Sequence, residues 1–253
     1  MTHSTPEGKA LSDGGRVTYE SIDGIAILTI DRPAKKNALS RAMAESLAQA
    51  WIKFDEGDDR VALLKGAGAD FTAGIDVGDA PAEPSWAPNL GVATSKPIIA
   101  AIDGWCIGAG MMLLQQADLA VAAHTAKFRY PEAKFGLSRG MAAGLATKVP
   151  HKIAMEILLV GRVHTPDEFA RAGLLNAVVD GDRLESTAMA WAREIAAADH
   201  DVVRYLKQGV LDTVPRGPGE HAAHTLWEIE QLPGNRRLKA GALSVDDLKG
   251  TSR

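Results

Sequence analysis

Two glycine clusters, each downstream of a short aliphatic run, constrain this chain more than any other feature. The first, Gly74-Ile75, follows Val61-Ala62-Leu63-Leu64-Lys65. The second, Gly108-Ala109-Gly110, follows the run from Pro97 to Ile102. Aliphatic runs of this length, closed by glycines, read as strands buried on both faces. Gly104 to Gly110 reads as a glycine-bearing turn, and a helix is expected from about Gly110 to Ala117. A glycine turn opening a helix leaves backbone N–H groups free, with the positive end of the helix dipole behind them. That arrangement suits an oxygen that gains negative charge during a reaction. Tight turns alone would explain the same glycines equally well.

Other elements surround this frame. Val17 to Ile22 and Ile25 to Ile30 are β-rich runs separated only by Asp23-Gly24, a pair that supplies the positive φ angles of a tight hairpin turn. Asp31-Arg32-Pro33 ends the second strand. Ser40 is placed to cap a helix running to about Phe54, with Met43, Leu47, Ala50, Trp51 and Phe54 on one face. Leu119 to Ala123 is strand-like. Thr165-Pro166-Asp167-Glu168 combines a capping box with proline at the first helical position, and Gly173 closes that helix. Strands concentrate before residue 130 and helices after it. The simplest organisation is a polar leader over 1–15 and one α/β domain over 16–253, with a core to about 195 and a helical region from about 196.

Composition excludes several classes. The chain has 253 residues, 46% of them hydrophobic and 24% charged, which is globular rather than disordered or fibrous. Its 28 basic and 32 acidic residues leave a net charge of −4, unfavourable for general binding to nucleic-acid phosphates. Cys106 is the single cysteine, so no internal disulfide forms, and no Cys/His cluster has zinc spacing. Met1 to Gly15 lacks the apolar core of a signal peptide, and the uncharged stretch from Gly104 to Ala117 is too short to span a bilayer. The expectation is a cytoplasmic protein with no membrane or nucleic-acid partner.

Four motifs in order then carry a resemblance. They are Asp31-Arg32-Pro33 with Asn37-Ala38-Leu39; Phe71-Thr72-Ala73-Gly74-Ile75-Asp76; Lys96-Pro97 through Ala100-Ala101-Ile102-Asp103-Gly104 to Gly108-Ala109-Gly110; and Pro131-Glu132 with Gly136-Leu137. Together they resemble the crotonase superfamily, the enoyl-CoA hydratase/isomerase family. The resemblance extends to Gly173-Leu174-Leu175-Asn176-Ala177-Val178-Val179. It implies a spiral of ββα units, a helical C-terminal trimerisation region giving a homotrimer or dimer of trimers, and an acyl-CoA thioester substrate. By motif position, the backbone N–H groups of Ile75 and Ala109 would form an oxyanion hole around the thioester oxygen. The loop holding Lys35, Lys36 and Ala38, and the segment from Ala73 to Asp76, resemble the family's CoA-binding surfaces. The loop from Gly78 to Gly91 would border the acyl site. No redox or metal cofactor is implied, since CoA enters as part of the substrate.

Carboxylates decide which reaction is plausible. Hydratases of this family carry two glutamates; Glu132 matches the second, and the first falls on Met112. Methionine neither holds nor activates a water, so the machinery for hydrating a conjugated double bond is incomplete. A single base suffices to remove a proton from C2 of a 3-enoyl-CoA and return it at C4. Isomerisation is therefore favoured, hydration with one glutamate comes second, and a non-catalytic acyl-CoA-binding protein is a third reading. Met112 beside Glu132 would raise the glutamate's pKa and suit it to carry protons near neutrality.

Gly136-Leu137-Ser138-Arg139-Gly140 also matches the nucleophile elbow of α/β-hydrolases, with Asp167, Asp180, His200 and His221 downstream. That elbow needs a buried strand before the serine, and Glu132-Ala133-Lys134-Phe135 after a proline is a poor one. Arg139 would be near an acyl pocket but is expected at the surface. Cys106 reads as a buried structural thiol, and His124 and His151 are isolated.

Overall fold

The computed structural model describes residues 15–81, 84, 86–136, 141–233 and 236. A six-stranded sheet runs in the order β1 (Arg16–Ile22), β2 (Ile25–Asp31), β3 (Val61–Gly66), β4 (Ile98–Ile102), β6 (Leu119–Ala123) and β8 (Ala177–Val179). The first pair is antiparallel and every other pair is parallel. Asp23 and Gly24 have φ of 52° and 76°, the hairpin turn expected from their identities.

Both faces of this sheet are covered, which is why its strands read as continuous apolar runs. Ala26, Leu28 and Ile30 pack on one side, together with Met43, Leu47, Trp51 and Phe54 of α1 (Arg41–Glu56). Ile25 and Ile27 face the other side. They pack there with Leu63, Ile99, Val121 and with Leu184, Ala188 and Ala192 of α5 (Gly181–Ala197). The period-two alternation along β2 thus assigns each side chain to one of two cores. Ser40 caps α1 by accepting from Met43 N, and Thr165 and Glu168 form the expected capping box on α4 (Pro166–Ala172).

The region read as one turn between Gly104 and Gly110 contains a strand. β5 (Trp105–Ile107) pairs in parallel with β7 (Lys127–Arg129), and α2 (Ala109–Gln116) begins one residue before the expected start. Isolated bridges extend this second layer, Thr72 to Cys106 and Leu39 to Ile75. Each turn of the chain thus adds one strand to the large sheet and a short segment to the second layer before a helix or loop returns. This mixed α/β spiral is the expected architecture. Three-residue strands such as β5, β7 and β8 carry too few residues for a periodicity signal, so they were invisible in sequence.

From His151 to Gln231 the chain is mainly helical apart from β8: α3 (His151–Met155), α4, α5, α6 (His200–Thr213) and α7 (Pro218–Gln231). Among the described residues, no helix is long and apolar enough to cross a membrane.

Candidate active site

Gly74 and Gly108 build the site by bringing two backbone segments into contact. Gly74 has φ +96°, and its N–H donates to Thr72 Oγ1 at 3.0 Å while Thr72 Oγ1 donates to the Asn37 carbonyl at 2.7 Å. A Cβ on Gly74 would lie 2.9 Å from the Ile107 carbonyl oxygen and 3.4 Å from Ala109 N. Only glycine permits both this backbone angle and this approach. Leu39 N donates to the Gly74 carbonyl and Asp76 N to the Leu39 carbonyl, which turns the N–H of Ile75 away from the Leu39 strand.

Ala109 is the first residue of α2, preceded by Gly108 at φ +52°. Its N–H belongs to the opening turn of the helix and has no acceptor there. Among the described residues, neither Ile75 N–H nor Ala109 N–H donates to a protein acceptor. Both residues line one cavity of about 610 Å³, shared with Ala73, Gly108, Met112 and Glu132.

Glu132 opens a 3-10 turn, Glu132–Phe135, directly after Pro131. Its Oε2 is buried with no hydrogen-bond partner, and burial pushes its pKa above the ordinary carboxylate value of 4.5. It is the only carboxylate among the described residues lining the cavity. Met112, almost fully buried, lies on the same wall. An apolar cavity with one unpartnered carboxyl group and two free amide donors can hold a developing oxyanion while a proton moves beside it.

The remaining expected residues fall around rather than inside the cavity. Ala73 lines it, whereas Lys35, Lys36, Ala38 and Asp76 do not. Lys35 and Lys36 are exposed, and Lys36 pairs with Asp70 at 3.2 Å. Asp76 forms an ion pair with the buried Arg32 at 2.7 Å, which holds its carboxyl below the usual range; Arg32 also donates to the Ala38 carbonyl. The two segments expected to form a CoA-binding surface therefore run side by side, joined by Ala73 N donating to the Lys36 carbonyl at 2.8 Å.

Sequence reading missed Val77, Arg129, Tyr130 and Phe135, all of which line the cavity. Their only signal was adjacency to Gly74-Ile75-Asp76 or to Pro131-Glu132. Pro81, Pro84 and Trp86, from the loop expected to border the acyl site, line it as well, and Trp51 Nε1 anchors this loop by donating to the Trp86 carbonyl at 3.0 Å. Residues 137–140, with Ser138 and Arg139, lie outside the described residues. The segment before them is the 3-10 turn rather than a strand, and Asp167, Asp180, His200 and His221 do not line the cavity. Cys106 is fully buried, and burial pushes its thiol pKa up.

Residues 20–225 match the enoyl-CoA hydratase/isomerase family as a continuous unit. The chain belongs to that family. Among relatives of the enoyl-CoA hydratase/isomerase family, it is 34% identical to the enoyl-CoA hydratase EchA19 of Mycobacterium tuberculosis, covering 74% of this chain and 77% of that protein. It is 30% identical to an (E)-benzylidenesuccinyl-CoA hydratase of Thauera aromatica, covering 84% and 90%. Its fold superposes on the crystal structure of an enoyl-CoA hydratase from Mycobacterium tuberculosis H37Rv with a TM-score of 0.74 at 28% identity, covering 84% of this chain and 97% of that one.

Proposed function

We propose that this enoyl-CoA hydratase/isomerase family member moves a proton on an acyl-CoA thioester, converting a 3-enoyl-CoA to the conjugated 2-enoyl-CoA. The N–H groups of Ile75 and Ala109 hold the thioester oxygen. Glu132 removes a proton from C2, the negative charge spreads through a dienolate onto that oxygen, and Glu132 returns the proton at C4. Each oxyanion donor contributes about 2.7–4 kcal/mol in comparable sites. The observation that carries this reading is the isolation of Glu132: among the described residues it is the single carboxylate on a wall otherwise without an acid. Met112 stands where a second acid would be needed to activate water.

Hydration of a 2-enoyl-CoA is the second reading, favoured by the hydratase names of the relatives. Here Glu132 would activate water alone. Turnover assays on 3-enoyl-CoA and 2-enoyl-CoA, with calorimetric binding of a saturated acyl-CoA, separate the readings. Migration of the double bond with Glu132-dependent kinetics supports isomerisation, and formation of a 3-hydroxyacyl-CoA supports hydration. Binding without turnover of either thioester overturns both and leaves an acyl-CoA-binding protein.

A further inference from the structure

Most of the cavity wall is apolar, with Ile75, Val77, Trp86, Met112 and Phe135 among its members. Arg129 and Tyr130 break that pattern. Arg129 ends β7, half-buried, and its Nε donates to the Gly161 carbonyl oxygen at 3.1 Å. Among the described residues no carboxylate lies within ion-pair distance of its guanidinium, and Glu132 on the same wall is not its partner. Tyr130 is buried, and its hydroxyl donates to no acceptor among the described residues. Burial pushes that phenol's pKa up, with the neighbouring Glu132 adding to the effect, so the hydroxyl remains a donor.

A guanidinium beside an apolar cavity loses hydration that an anionic partner would offset. Among the described residues the wall supplies no such partner, so the complement belongs to whatever enters. We infer that Arg129 and Tyr130 recognise an anionic oxygen of the ligand, and that the preferred acyl group ends in a second carboxylate. This rests on the reading of the cavity as an acyl-CoA site and specifies the substrate class within it. Arg129 has its two Nη groups for a forked contact, and the Tyr130 hydroxyl adds another donor. The phosphates of CoA carry the same chemistry. The acyl carboxylate is favoured because Arg129 shares its cavity with Glu132, whereas the exposed Lys35 and Lys36 lie away from it.

Calorimetric titration with hexanoyl-CoA and adipoyl-CoA, equal in chain length and different only in the terminal group, tests the inference without requiring turnover. The wild-type protein is expected to bind adipoyl-CoA about ten- to a hundredfold more tightly. Arg129→Met should bring that ratio to within about threefold, and Tyr130→Phe should lower it by a smaller factor. Equal wild-type affinities, or tighter hexanoyl-CoA binding, overturn the inference while leaving the acyl-CoA reading standing. Equal weakening of both thioesters by Arg129→Met assigns the arginine to the CoA phosphates and also overturns it. If neither thioester binds, the acyl-CoA reading and the inference fall together. The wild-type ratio decides the matter even if a variant does not fold.

Discussion

Gly108 and Glu132 are in contact across the cavity: a Cβ at Gly108 would sit 2.6 Å from Glu132 Oε1. The glycine that lets the chain turn into α2 at φ +52° is thus also the surface against which the carboxylate rests. A methyl group there would be strained by about 1–3 kcal/mol in the backbone and would displace the carboxyl group. Gly108→Ala is expected to lower turnover of a 3-enoyl-CoA at least about tenfold, with a fall in melting temperature. Unchanged steady-state kinetics would show that the position of the carboxylate does not matter.

Replacing Glu132 by Gln keeps shape and removes the proton carrier, so kcat is expected to fall about 10²–10⁴-fold while acyl-CoA binding persists. Because proton abstraction requires the ionised carboxylate, kcat/KM of the wild type should rise with pH through an inflection above 4.5. A pH–rate profile flat from pH 4.5 upward would remove Glu132 from the mechanism.

The same raised pKa has a sign for stability. The folded protein binds the Glu132 proton more tightly than the unfolded chain, so this group's contribution is present below pH 4.5 and is lost as pH rises through the folded-state value. Glu132→Gln removes that loss. Chemical denaturation should therefore find the variant more stable than wild type near pH 8, with the gap closing at pH 4.5. A gap independent of pH would contradict burial of the ionisable group.

Arg32 and Asp76 tie the Pro33–Lys35 turn to the segment carrying Ile75. Removing Asp76 leaves a buried guanidinium without this carboxylate, and Asp76→Ala is expected to destabilise the protein by about 3 kcal/mol and weaken acyl-CoA binding. Since Arg32 lowers the Asp76 pKa, the contribution of the pair is complete above pH 3.8 and is lost as pH falls below it. Denaturation at pH 7 and at pH 3 reads both effects.

Along α6, Val202, Tyr205, Leu206 and Val210 are 52–76% exposed, a row of apolar side chains on one helix. Covering them in a homotrimer would remove that surface from water. Light scattering is expected to give about three times the protomer mass, and Leu206→Asp should shift it towards the protomer. A monomeric wild type would refute the assembly.

Local chemistry was readable wherever one or two residues decide a conformation. Asp23-Gly24 dictated the hairpin, Ser40 and Thr165 began their helices, and long aliphatic runs marked β2, β3 and β4, because side-chain period and capping act over a few neighbours. The ordered motifs singled out Gly74, Ile75, Ala109 and Glu132 as well. What the sequence alone could not contain is the convergence of segments more than 20 residues apart: Gly74 against Ala109, and Glu132 against Gly108, with Arg129 and Tyr130 brought onto the same wall. Those contacts depend on how strands separated in the chain pair and how closely their backbones approach. Packing in three dimensions settles both, and no short-range periodicity records either.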